Sequence, residues 1–237
     1  MRYFRSLFVF LLMLTQVCLA QQQRQQVADS LRQIYLADTL GGIEKMELLY
    51  ELAFHEVNDL DLAIAYAEEL ITLARDAGNN EYLYNGYQMK GHVGLRRNDL
   101  EMTLASYQKA MEVAQQENDK EGMALSLMYQ GSVYSDSGEP ERAIINFEQS
   151  IEILRDPDIQ NEELGRYKLA STLTNLGYVH LEQDELLKAR KYFDEADEML
   201  GELPPELSRN LLCFLLGNRG MIYARVGDHI KAEENLT

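Results

Sequence analysis

The sequence predicts an all-α fold built from repeated helical hairpins. Three observations predict it. Apolar residues recur with helical spacing along almost the whole chain, and only 4 Pro interrupt its 237 residues. Glycines return in register at Gly91, Gly131, Gly177 and Gly220, which lie 40, 46 and 43 residues apart. A set of small and aromatic residues follows each glycine at constant offsets.

The elements follow in chain order. Arg2 and Arg5 precede the apolar run Leu7–Leu14. A small residue, Ala20, then stands before the polar stretch from Gln21 to Gln26. A positive start, a short apolar centre and a small residue before a polar break describe an export signal. The apolar run is shorter than the roughly 20 residues that span a bilayer comfortably. Residues 1–20 are therefore expected to be a signal peptide cleaved after Ala20. The alternatives are a lipoprotein anchored at Cys18, where Val17 occupies the place of a small lipobox residue, and an uncleaved signal anchor. Residues 21–42 are expected to hold a leading amphipathic helix, about Val27–Leu36, and a linker. Hairpins are expected over about 43–77, 81–117, 120–155, 162–200 and 206–237, in one solenoid domain. Their tight turns carry Asn98-Asp99, Ser137-Gly138-Glu139-Pro140, Gln183-Asp184 and Gly227-Asp228. Asp156-Pro157-Asp158 and Pro204-Pro205 separate hairpins. Thr237 falls inside a second helix, so the sequence is expected to be an N-terminal fragment whose last hairpin is truncated. The alternative is an uncapped end completed by dimerisation.

Twelve residues after the glycines stand Thr103, Ala143, Ala189 and Ala232. Four residues further come Tyr107, Phe147, Phe193 and Leu236, and Ala110, Ser150 and Ala196 follow three later. Three residues after the glycines stand Gly94, Tyr134, His180 and Tyr223. This pattern resembles the tetratricopeptide repeat (TPR), with a period longer than its usual 34 residues. An earlier hairpin carries Ala53 in the glycine role and has a shortened turn. The resemblance implies a right-handed α-solenoid of about five hairpins. The glycines are expected where paired helices cross, with Ala143 and Ala189 facing them. Tyr134, Tyr107, Phe147 and Phe193 are expected as large knobs between hairpins.

Charge and motifs narrow the chemistry. The formal charge is −17, and loss of Arg2 and Arg5 with a signal peptide takes it to −19. Such a field disfavours nucleic acid. Basic clusters such as Arg96-Arg97 are short and set among acids. No phosphate-binding or nucleophile-elbow motif occurs. None of His55, His92, His180 and His229 lies four residues from another, so no helical metal pair exists. No enzyme is expected within these residues, and no cofactor or metal. Cys213 lies in an apolar run and is expected in the core.

The expected function is binding of protein or peptide. The first helix of each pair lines the inner surface of a solenoid. The expected groove residues are Gln88, His92, Met128, Tyr129, Ser132, Thr174, Asn175, Tyr178, Asn218 and Met221. Their amides, hydroxyls, thioethers and rings suit a peptide backbone and apolar side chains. The carboxylate clamp of some chaperone-binding TPR proteins is not carried over. Asn175 matches its middle element, but Met128, Ser132, Phe214 and Asn218 stand where its other polar residues belong.

Taken whole, the chain resembles the extracytoplasmic sensor region of bacterial membrane-bound regulators. The resemblance rests on the signal sequence, Ala28-Asp29-Ser30-Leu31 in the leading helix, and lengthened repeats with Tyr66-Ala67-Glu68-Glu69. It implies a periplasmic or otherwise extracytoplasmic location. It also implies a later membrane helix and an output such as a histidine kinase or nucleotide cyclase. Self-association is a further expectation, and the alternative is a free-standing periplasmic or surface adaptor.

Overall fold

The computed structural model describes residues 21–236, so the export-signal reading of residues 1–20 lies outside the described residues. Helices account for 86% of the described residues, and none of these lies in a strand. The all-α hairpin expectation therefore holds. The chain divides into two compact units, residues 1–113 and 114–237. The division falls inside one helix, residues 100–117.

In the first unit, a helix over 21–37 (α1) precedes α2 (Gly42–His55), α3 (Leu60–Ala77) and α4 (Asn80–Arg97), and α5 (Leu100–Glu117) begins. α1 is longer than its apolar pattern suggests. Its polar first turns have partners: Gln25 accepts from the Val57 and Asn58 amides at 3.2 Å. Arg24 donates to the Phe54 carbonyl and lies 4.6 Å over the Phe54 ring. Further along, Ala28 is buried, Tyr35 meets Tyr66 edge-on at 5.3 Å, and its hydroxyl donates to Glu69 at 2.7 Å. α1 thereby covers the core that α2, α3 and α4 share, built on Met46, Leu49, Leu52, Tyr66 and Leu70.

The second unit contains three hairpins: α6 (Lys120–Asp136) with α7 (Pro140–Leu154), α9 (Glu163–Glu182) with α10 (Leu186–Gly201), and α11 (Pro205–Arg225) with α12 (His229–Leu236). Asp156-Pro157-Asp158 is not plain linker. It opens a single helical turn, α8 (Pro157–Gln160), capped by Asp156. α9 is central and packs on α6, α7, α8, α10 and α11. A Cβ at Gly165 would collide with the Ile159 carbonyl, so only glycine lets α8 lie against α9.

Turns and caps repeat. Asp59, Asn79, Asp99 and Asp119 each accept the backbone amide three residues on, at 3.0–3.1 Å. Asn98, Asn118 and Asp184 adopt the left-handed conformation that ends helices, as do Gly78, Gly138 and Gly227.

The glycine register holds, but its partners differ from those expected. A Cβ at Gly131 or Gly177 would stand 2.9 or 2.6 Å from the ring of Phe147 or Phe193, and one at Gly91 would strike Tyr107. The atoms nearest each missing Cβ belong to the ring sixteen residues on. Tyr107, Phe147 and Phe193 are thus knobs inside their own hairpins, each at most 1% exposed. Each such burial contributes about 2–3 kcal/mol. Tyr134 also acts within its hairpin, where Arg142 lies 3.8 Å over its ring and donates to its hydroxyl at 2.5 Å. Tyr223 lies under Lys231 at 5.5 Å. Ala143, Ala189, Ala232 and Gly220 are buried. Where Gly94 replaces the large residue, Thr103 replaces the alanine, and its side chain fills the space over Gly94.

Cys213 is exposed, contrary to expectation. The buried stripe of α11 includes Leu211, Leu215, Asn218 and Ile222, which places Cys213 on the opposite side and Phe214 on the flank of the stripe.

Candidate protein-binding surface

The expected groove residues fall in both units. In residues 21–113, Gln88 is half-buried on α4, and its amide donates to the Tyr84 hydroxyl. His92 is half-buried, and its Nδ1 is 2.9 Å from the Tyr107 hydroxyl. Burial pushes His92 down from 6.5 to about 4, and the nearby Arg96 charge adds to this. Neutral His92 is thus a hydrogen-bond partner that orients Tyr107 over Gly91.

In the second unit, α6, α9 and α11 are neighbours and present the remaining residues. Tyr129, Ser132, Asn175 and Tyr178 are half-buried, and Met221 is 38% exposed. Three expected contacts do not reach the surface. Thr174 is fully buried and its hydroxyl donates to the Ala170 carbonyl at 2.7 Å. Met128 and Asn218 are 8% and 2% exposed. These three turn into the seams between helices, because α9 is packed on several sides and α11 buries the stripe containing Asn218. The Asn218 amide nitrogen has no partner.

One surface residue was missed. Phe214 is 48% exposed, and its ring centroid is 6.2 Å from that of Tyr178. It stands seven residues, or two helical turns, before Met221, so it shares that residue's face. That spacing was available in the sequence. The result is a strip along α9 and α11 on which Tyr178, Phe214 and Met221 supply apolar surface and Asn175 supplies an amide.

At the C-terminal end of these helices, a pocket of about 480 Å³ opens between the α6–α7 turn and α9. Tyr178 forms one wall, and Ser135, Asp136, Glu182 and Gln183 supply polar groups. Arg225 closes one side of α9. Its guanidinium donates to the Leu181 carbonyl at 2.5 Å and pairs with Glu182 at 3.2 Å and Asp184 at 3.5 Å. Arg96 holds α2 in the same way, donating to the Glu56 and Ala53 carbonyls at 2.9 and 3.2 Å. Both arginines donate to carbonyls at a helix end, and the Leu181 carbonyl also accepts from the Asp184 amide at 3.0 Å.

A second pocket of about 410 Å³ lies towards α7 and α10, beside His180, Glu185, Lys188 and Tyr192. His180 is 4% exposed, stacks on Tyr192 at 5.4 Å and contacts Glu185 at 2.6 Å, which fits its packing role. Among the described residues, no cluster of three or more His, Cys, Asp or Glu could hold a metal. No described helix is long and apolar enough to cross a membrane.

Residues 83–156 match the tetratricopeptide repeat family model. Three solved structures share the fold. BtubC (BKLC) from P. vanneervenii aligns with TM-score 0.70 at 18% identity, over 91% of this chain and 86% of that one. The apo form of RapI aligns with TM-score 0.63 at 15% identity, over 92% and 90%. The Podosopora anserina putative kinesin light chain TPR-like repeats align with TM-score 0.57 at 11% identity, over 81% and 90%. No curated protein matches in sequence.

Proposed function

We propose that this chain of TPR hairpins is a protein- or peptide-binding scaffold, and that the strip on α9 and α11 is its docking surface. The observation that carries this reading is the Tyr178–Phe214 ring pair, left partly in water beside Met221 on a helix face whose neighbouring positions are buried. Large side chains held by rigid helices bind at low ordering cost, and aromatic anchors dominate interface energetics.

We further propose that the scaffold works outside the cytoplasm, as the docking or sensing region of a bacterial signalling protein whose output lies in another part of that protein. The charged start, apolar run and polar break in residues 1–26 support export. The repeat character of residues 83–156 supports a binding role over catalysis. Tethering to the membrane would come from a signal anchor or from a separate membrane helix. A free-standing extracytoplasmic adaptor is the second reading, favoured by the same export features without an output.

Capture from a cell-envelope extract tests the surface. The full chain is expected to retain a partner that the Asn175→Ala/Tyr178→Ala double variant loses, with helical circular dichroism unchanged. Equal capture by both proteins would move the docking surface elsewhere.

A further inference from the structure

The pocket at the end of the α9 and α11 strip has a charge character that the strip lacks. Asp136 and Glu182 line it, Asp184 lies just beyond, and no basic side chain is among its walls. Arg225 is the neighbouring cation, and it is shared between Glu182 and Asp184. Two carboxylates therefore share one guanidinium, and Asp136 lines the pocket without an ion pair to it. Helices α6 and α9 both end at this pocket, at Asp136 and Glu182. Their C-terminal partial charges add to the negative field, and neither helix carries Lys or Arg in its last turn. Tyr178 belongs to both features: it lines the pocket, and its ring pairs with Phe214.

We infer that this pocket receives the cationic side chain, arginine or lysine, of a partner segment whose adjacent apolar residues lie on Phe214 and Met221. The inference rests on the strip being the docking surface. About 480 Å³ is ample for one long side chain. Its methylenes would lie along Tyr178 and Pro140, and its charged head would reach Asp136 and Glu182. The ring of Tyr178 attracts a cation from its face, and the two carboxylates do so from the rim. An acidic segment would meet like charge at the same place, which costs affinity and slows encounter. The formal charge of −17 extends that preference over the approach of the partner.

Fluorescence anisotropy with three labelled peptides tests this on the full chain. One peptide alternates arginine with leucine, one glutamine with leucine, and one glutamate with leucine. The arginine peptide is expected to bind at least about tenfold tighter than the glutamine peptide, and more tightly still as salt is lowered. The Asp136→Asn/Glu182→Gln variant is expected to erase that advantage while leaving the glutamine peptide's binding unchanged. The Glu148→Gln/Glu152→Gln variant removes two carboxylates elsewhere on the same unit and is expected to bind like the parent protein. Three results would overturn the inference. Equal binding of all three peptides, lost in Tyr178→Ala, would leave the docking strip standing and remove its charge selectivity. Arginine-peptide binding that falls equally in both carboxylate variants would reduce the effect to general acidity. Absence of binding by any of the three would remove the cation pocket, whereas the docking strip is judged separately by capture of its partner.

Discussion

A glycine and an aromatic ring sixteen residues later form the smallest unit of this structure. At Gly177 the missing Cβ leaves space that the Phe193 ring occupies, and the ring is 0% exposed. Gly177→Ala is expected to destabilise the protein by about 1–3 kcal/mol in urea unfolding, because the added methyl forces the ring or helix aside. Gly217 lies in a helix and nothing stands within 4 Å of its would-be Cβ. Gly217→Ala is expected to stabilise by up to about 1 kcal/mol through helix propensity. The spacing of small and large residues was legible in the sequence, but which partner each glycine faces was not. Offsets of twelve and sixteen both return to the second helix of the hairpin, and only the crossing geometry separates them. The Gly94–Thr103 pair makes the same point, since the loss of a ring and the gain of a hydroxyl are compensating changes in one space. His92 adds a pH dependence at this scale. Its folded pKa, about 4, lies below its ordinary 6.5. The neutral form is therefore favoured in the folded protein, and the stability it contributes is fully present above about pH 6.5 and is lost as pH falls through about 4. His92→Gln is expected to flatten the unfolding midpoint between those pH values. A midpoint that still falls as steeply would exclude His92 as the source.

At the scale of elements, the shortened turn between α2 and α3 is organised by one buried carboxylate. Glu56 is 1% exposed, and its Oε1 accepts from the Asn58 and Asp59 amides at 3.1 Å. Its Oε2 accepts from Arg32 at 2.5 Å and from Gln25 at 3.3 Å, both on α1. Turn and leading helix thus depend on the same side chain. Glu56→Ala is expected to cost about 2–4 kcal/mol, because two amides and a guanidinium lose their acceptor. Hydrogen exchange is expected to show loss of protection in α1 and at Asn58 and Asp59, with α10 unaffected. Arg32→Ala is expected to cost less, about 1 kcal/mol, since Arg32 is 33% exposed and partly screened by solvent. None of this was legible, because Glu56 sits in an unremarkable polar stretch and its partners lie 24 and 31 residues away. The placement of Cys213 failed for a related reason. An apolar run on a helix has two sides, and composition alone does not say which one is covered.

At the scale of the whole molecule, the same hairpin recurs along the described residues. Class and repeat were legible because they depend on periodicity, which every hairpin restates. The strip on α9 and α11 was legible in part. Asn175, Tyr178 and Met221 follow from their offsets to the glycines, whereas Thr174 and Asn218 lie on the same helices but turn into seams between neighbours. Phe214 was identifiable from its spacing, and the acidic pocket was not, because it joins a turn to the end of a separate helix. The most direct measurement is site-specific photocrosslinking, with a benzophenone amino acid placed at Asn175 on α9 or at Arg190 on α10. If the first helices carry the docking surface, the probe at 175 crosslinks the captured partner and the probe at 190 does not. Crosslinking at 190 alone would contradict that assignment and place binding on the second helices.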